Sequence, residues 1–286
     1  MKGDFSIDKR QARRTFGRAA AGYDEAAVLQ HEIADRMLQR LDYVRLQPRR
    51  ILDIGCGTGR ASEALLRRYP RAEVVALDFA LPMLEQARRR SRWRRRPRCL
   101  CGDMDSLPLA AQSFDLVFSN AAIQWSADPA GAIAEMHRVL RPGGLLMFSS
   151  FGPDTLHELR TAWAKVDGTP HVHGFIDLHD YGDMLVAAGL ADPVMDMERL
   201  TLTYADTDAL MRDLKAIGAN NAASGRTRGL TGRARLQALR AAYERFRDAS
   251  GRLPATYEVV YGHAWGAEQR REGGAVLVSP DSLRRR

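Results

Sequence analysis

The sequence predicts an α/β fold, a mostly parallel sheet held between helices, on three observations. Between about residues 50 and 150, short apolar runs alternate with segments of helical spacing. The first of these runs passes directly into a glycine-rich turn, Ile51-Leu-Asp-Ile-Gly-Cys-Gly-Thr-Gly59. The chain of 286 residues is 45% hydrophobic, enough to bury a full core as one large domain or one domain with an insertion.

From the N-terminus, residues 10–41 carry Ile33, Met37, Leu38 and Leu41 on one helical face, so 1–48 reads as an N-terminal helical cap. Residues 51–54, 74–77, 115–119 and 145–149 read as strands, with 98–103 a further one; residues 61–68, 82–90 and 130–140 read as helices. Arg141-Pro-Gly-Gly144 turns the chain into the strand at 145. Beyond Ser150 the periodicity changes, with helices at 154–165, 178–188, 206–217 and 232–250 and strands at 194–204 and 256–265. The α/β core therefore spans 49–200, a helical lid or partner-docking insertion 201–250, a final core strand 251–272 and a frayed tail 273–286. Residues 218–232, rich in Gly, Asn, Ser and Arg, are expected to form a mobile loop.

No apolar run approaches the roughly 20 residues that cross a bilayer, and the N-terminus lacks the apolar segment of a secretory signal, which points to the cytosol. Cys56, Cys99 and Cys101 are odd in number and form no CxxC pair, so neither a disulfide framework nor a zinc site is indicated. His171, His173, Asp177 and His179 follow no ligand spacing, and no metal is expected. A net charge of +8 favours an acidic partner, although the excess is nearly all arginine, as codon bias alone would produce. The run Arg88-Arg-Arg-Ser-Arg-Trp-Arg-Arg-Arg96 reads as a solvated helix end whose arginines complement the dipole, or as a nucleic-acid stripe around Trp93.

A strand ending at Asp53 and entering Gly55-x-Gly57-x-Gly59 is a nucleotide-binding turn, in which missing Cβ atoms let the backbone curl and approach a ligand. A dinucleotide fingerprint would place glycine at the sixth position, where this chain has Arg60, so the pyrophosphate-binding version is departed from. The remaining form suits an S-adenosylmethionine site, where no phosphate is cradled. The second strand ends at Asp78, followed by Phe79, and presents a carboxylate that can accept from both ribose hydroxyls. At the next strand end, Asp103 can accept from an adenine amine while Met104 packs on the ring. Ser119 and Asn120 arrive at the same carboxyl edge.

Together these features resemble the class I methyltransferase family. The resemblance implies a Rossmann-like three-layer sandwich with a mostly parallel seven-stranded sheet whose last strand is antiparallel, flanked by the N-terminal cap and the C-terminal lid. It implies S-adenosylmethionine as cofactor and S-adenosylhomocysteine as product, with Gly55, Gly57 and Gly59 at the methionine moiety, Asp78 at the ribose, and Asp103 and Met104 at the adenine. Four further segments, Phe16-Gly-Arg-Ala-Ala-Ala-Gly-Tyr-Asp24 with Leu29-Gln30, Ser119-Asn-Ala-Ala-Ile-Gln-Trp125, Phe151-Gly-Pro-Asp-Thr-Leu156 and Asp213-Leu-Lys-Ala-Ile-Gly-Ala-Asn-Asn221, are similar to the malonyl-[acyl-carrier protein] O-methyltransferase family of biotin synthesis. Members of that family esterify the free carboxylate of a malonyl thioester on acyl carrier protein.

A carboxylate is already ionised at neutral pH and needs no base, which accords with the absence of a Ser-His-Asp or paired-carboxylate constellation. Tyr23 and Gln30 could close over the sulfonium, with Tyr23 donating to a substrate oxygen or simply packing. Trp125 is a pocket wall or plain packing, and His171 and His173 could bind the acceptor carboxylate or be solvated. Arg226, Arg228, Arg233 and Arg235 give the lid a basic surface suited to an acidic carrier protein. The generic cofactor motifs also fit a quinone- or sterol-type methyltransferase, and related sequences serve as assembly factors or protein hydroxylases.

Overall fold

The computed structural model describes residues 7–90, 95–169, 171–219 and 232–267. Trp93, Arg226, Arg228, most of the loop expected at 218–232 and the tail from 273 lie outside the described residues. Seven strands form one sheet: β1 (Arg50–Ile54), β2 (Glu73–Asp78), β3 (Arg98–Cys101), β4 (Phe114–Ser119), β5 (Leu140–Phe151), β6 (Leu190–Tyr204) and β7 (Leu253–Gly266). Their order is β3-β2-β1-β4-β5-β7-β6. β1 to β5 pair in parallel, and β7 runs antiparallel to both neighbours.

Alternating side chains feed two cores, as a sheet covered on both faces requires. Ile51, Leu116, Phe118, Leu145 and Met147 belong to one; Leu52, Val117, Leu146 and Phe148 belong to the other. The helices are α1 (Lys9–Ala19), α2 (Tyr23–Ala26), α3 (Val28–Arg40), α4 (Arg60–Arg68), α5 (Leu81–Arg90), α6 (Pro129–Val139), α7 (His157–Ala164), α8 (Leu178–Ala187), α9 (Thr207–Ala216) and α10 (Arg233–Tyr243). Among the described residues no helix is long and apolar enough to cross a membrane.

The segment expected as one helical cap is broken at Gly22 and Ala27 into α1, α2 and α3. Ile33 and Met37 on α3, with Leu41 just beyond it, are fully buried against the first core. Each such side chain contributes about 1.5–3 kcal/mol, which makes α3 part of the sandwich and leaves α1 and α2 to reach over the sheet edge.

Four boundaries differ from the sequence expectation, each for a tertiary reason. Arg141-Pro-Gly-Gly144 is taken up in β5 at a register shift against β4 instead of ending in a separate turn. β6 begins at Leu190 and runs through Pro193, tolerated because it is an edge strand with a register break there. α7 starts only at His157, because Asp154 N–H donates to Glu258 Oε2 and Thr155 exchanges two bonds with the Glu258 backbone, holding Leu156 left-handed (φ 55°). α10 ends at Tyr243, and Asp248 Oδ1 then accepts from the N–H groups of Ser250 and Arg252 to build a turn.

Candidate active site

The chain winds from β1 outward through β2 to β3 and then returns to place β4 on the other side of β1. This switch point opens a crevice at the carboxyl ends of the strands, where open α/β sheets bind ligands. A cavity of about 250 Å³ occupies it.

The glycine loop forms its floor. Gly55 and Gly59 adopt φ of 67° and 81°; a Cβ on Gly55 would lie 2.3 Å from Ala122 Cβ, and one on Gly59 2.7 Å from Ala87 Cβ. Both positions therefore require glycine for reasons internal to the protein. Gly55 and Gly57 face the cavity, whereas Gly59 packs on α5. Asp53 sits beneath, fully buried, accepting from Ser62 Oγ at 2.5 Å, and burial pushes its carboxyl up to about 7.

Asp78 fronts the cavity beside the loop. Its Oδ2 accepts from Gly57 N–H at 3.0 Å and its Oδ1 from Ala80 N–H at 2.8 Å. Burial still outweighs these bonds and raises its carboxyl to about 6. Phe79, Asp103 and Met104 complete this half of the cavity. Asp103 Oδ1 is held by Lys9 Nζ at 2.5 Å, and the same ammonium reaches Asp105 Oδ2 at 2.5 Å. Lys9, separated from both aspartates by more than 90 residues, gave no sequence signal of this role.

α1 and α2 cover the site. Tyr23 lies over the loop, its Cε1 3.9 Å from where a Gly57 Cβ would sit. Burial and the nearby Asp78 and Asp24 carboxylates hold its phenol firmly protonated, so it can donate but not act as a base. Asp24 accepts from Thr58 Oγ1 at 2.5 Å and pairs with Arg90, whose Nε also donates to Thr58 O at 3.0 Å. Arg90 is thus not simply a solvated helix end; it ties the cap to the glycine loop. Asn120 Nδ2 donates to Gln30 O at 2.9 Å, fastening α3 to the end of β4.

The other half of the cavity is apolar: Phe151, Leu156, Leu159 and Trp163 meet Met211, Leu214 and Ile217 from the α9 segment. The two expected histidines differ here. His171 stacks on Trp163 with ring centroids 3.5 Å apart, and its Nε2 is 2.8 Å from Asp167 Oδ1. His173 is 8% exposed, lies between Trp125 and Phe175 at centroid distances of 5.1 and 4.5 Å, and its Nε2 has no hydrogen-bond partner among the described residues. Burial, aided by Arg160, lowers its pKa to about 4, so it is neutral at physiological pH. Lys9 is the one lysine or arginine in the described cavity wall, and its two aspartates neutralise it. Arg233 and Arg235 stand away from the wall; Arg235 lies 3.8 Å from Asp167.

The sheet order with its antiparallel β7, the glycine loop at the switch point and the buried Asp78 together define a class I S-adenosylmethionine-dependent methyltransferase. A methyltransferase-domain family profile matches residues 52–148. The fold is shared with the YcgJ protein of Bacillus subtilis (TM-score 0.59, 19% identity, 83% of this chain and 99% of that one). It is shared too with the [4+2]-cyclase SpnF (TM-score 0.51, 18% identity, 83% and 82%), so architecture alone does not fix the reaction. Over its whole length the chain is 54% identical to the malonyl-[acyl-carrier protein] O-methyltransferase of Halorhodospira halophila, covering 98% of this chain and 97% of the relative. It is 52% identical to the enzyme of the same name from Gallionella capsiferriformans, covering 96% and 97%. The chain belongs to the malonyl-[acyl-carrier protein] O-methyltransferase family.

Proposed function

We propose that the protein transfers the methyl group of S-adenosylmethionine to the free carboxylate of a malonyl thioester carried by acyl carrier protein, in the cytosol, as a step toward pimelate and biotin. Near-full-length identity to relatives of that name supports the acceptor, and the apolar half of the cavity, lined by no lysine or arginine among the described residues, supports the chemistry.

When bound, the cofactor supplies a methyl group on a positively charged sulfur. Transfer to a carboxylate oxygen, with the electron pair of the broken bond kept on sulfur, would consume one positive and one negative charge and leave a neutral sulfide and a neutral ester. Charge vanishes along this path, so a low-dielectric surrounding favours the transition state over the separated ions. An arginine beside the acceptor would oppose this by stabilising the carboxylate most before reaction. The protein instead offers Phe151, Leu159, Trp163 and Leu214, with polar contacts left to uncharged groups.

In this reading Asp78 accepts from the ribose hydroxyls, Gly55 and Gly57 leave room for the methionine moiety, and Phe79 and Met104 pack about the adenine beside Asp103. Asp53 and Gly59 act from beneath by holding the loop. Tyr23 and Trp125 donate through O–H and N–H, and neutral His173 offers its imidazole to the acceptor without adding charge. His171, pinned by Asp167 and Trp163, keeps the 171–175 segment in place. Gln30 and Asn120 hold the cap shut. Arg226, Arg228, Arg233 and Arg235 meet the acidic carrier.

Incubation with methyl-labelled cofactor and malonyl carrier protein is expected to yield a base-labile methyl ester. Absence of label transfer to the carrier would reject the proposal.

A further inference from the structure

Gln124 lies in the short 3-10 turn Ile123–Trp125 and lines the cavity, yet it is 8% exposed. Its Nε2 donates to Ala121 O at 2.7 Å, which fixes the amide orientation, since the flipped amide would set two acceptors against each other. Its Oε1 is buried and receives no hydrogen bond from any described residue. The turn itself is held tightly. Ala121 is left-handed (φ 47°) and its N–H donates to Ser149 Oγ at 2.9 Å, while Ser149 Oγ donates to Asn120 Oδ1 at 2.9 Å. A buried acceptor held in place without a donor is costly unless a ligand supplies one.

Position narrows the ligand. Ala122, two residues earlier, abuts Gly55 in the glycine loop, and Trp125, the next residue, contacts His173 in the apolar half. Gln124 therefore stands where the two halves of the cavity meet. We infer that Gln124 Oε1 is a specificity-determining acceptor for an N–H donor of the bound reactants. Two sources carry that chemistry: the α-ammonium of the cofactor, or an amide N–H of the thioester arm that delivers the acceptor. A carboxylate oxygen placed there would be repelled, so the same atom keeps the reacting carboxylate from binding in a reversed pose. The second source rests on the acceptor reading given above; the first needs only the cofactor.

The test uses the full chain with two substitutions, Gln124→Leu and Gln124→Glu. Calorimetric titration compares S-adenosylhomocysteine with 5′-methylthioadenosine, which lacks the amino-acid moiety. KM is compared for the malonyl thioesters of N-acetylcysteamine, which has an amide, and of propanethiol, which has none. If the donor is the ammonium, Q124L weakens S-adenosylhomocysteine by on the order of tenfold or more and leaves methylthioadenosine unchanged, and Q124E, which also sets a second acceptor against Ala121 O, alters S-adenosylhomocysteine alone. If the donor is the arm, cofactor binding is unchanged and Q124L raises KM only for the amide-bearing thioester. Wild-type values in all four measurements for Q124L, or for Q124E where Q124L does not melt cooperatively, overturn the inference. Should wild-type protein methylate neither thioester, the acceptor reading fails while the cofactor titration still decides the role of Gln124.

Discussion

Cofactor affinity is expected to carry the titration of Asp78. Its carboxyl is raised from 3.8 to about 6 because burial outweighs the bonds from Gly57 and Ala80. A carboxyl whose folded value is raised holds its proton more tightly in the folded state. The unliganded protein therefore loses stability as pH climbs from about 4 through about 6, by about 3 kcal/mol for a shift of roughly two units. Asp53, pushed up to about 7, adds a cost of the same sign over a slightly higher window. Ribose hydroxyls that donate to ionised Asp78 would recover part of this cost. Binding should thus be flat above pH 7 and weaken below pH 6, reaching about tenfold at pH 5, where roughly one site in ten is ionised. Calorimetric titration of S-adenosylhomocysteine from pH 5 to pH 8 measures this directly, with Asp78→Asn expected to bind weakly at all pH and to lose the slope. A wild-type affinity constant across pH 5–7, or an equal slope in D78N, would refute the assignment of this carboxylate to the ribose.

Three further expectations follow from single contacts. Arg90→Ala removes the partner of Asp24 and the donor to Thr58 O; for partly exposed groups this is worth about 1 kcal/mol, so cofactor release should quicken a few-fold in stopped-flow fluorescence with the fold retained. Gly59→Ala must strain a φ of 81° and crowd Ala87, so thermal melting should fall by the equivalent of about 1–3 kcal/mol whether or not cofactor is present. His173→Phe should lower kcat by up to about tenfold and His173→Gln should restore much of it, because a neutral hydrogen bond is involved; an intact kcat in H173F would remove His173 from the site. The lowered pKa of His173 also means that stability tied to its neutral form is present above about 6.5 and is lost as pH falls toward 4, readable in acid melts.

The half of the cavity proposed for the cofactor was legible in the sequence because its residues are bound to local events. Gly55 and Gly57 mark a turn directly after a strand, while Asp78 and Asp103 end or follow strands, so knowing the strands places them at one edge. Lys9 lines the same half and Asp24 braces the glycine loop beneath it, yet neither carries a local sequence signal. Each acts through partners far along the chain, Asp103 and Asp105 for one and Thr58 and Arg90 for the other, and nothing in either local sequence announces the partner. Arg90 was hidden for the opposite reason: it stands in an arginine run whose members look alike until one is seen to turn inward.

The apolar half, proposed for the acceptor, was hidden by its own chemistry. A reaction that destroys a cation and an anion gains from walls without charge, and such walls are written in the same residues as any hydrophobic core. Leu156, Leu159 and Trp163 on or just before α7, Val172 and Phe175 beyond it, and Leu214 on α9 read as packing residues, and most of them do join the first core as well as face the cavity. What separates wall from core is the pair of polar atoms in it that find no partner among the described residues, Gln124 Oε1 and His173 Nε2. Composition and periodicity count a residue as polar or apolar but do not tell whether its hydrogen bonds are met. Residue types alone could therefore point to the half proposed for the methyl donor, whereas the half proposed for the acceptor stands out only once the hydrogen bonds of the described cavity-lining residues are paired and these two atoms are left over.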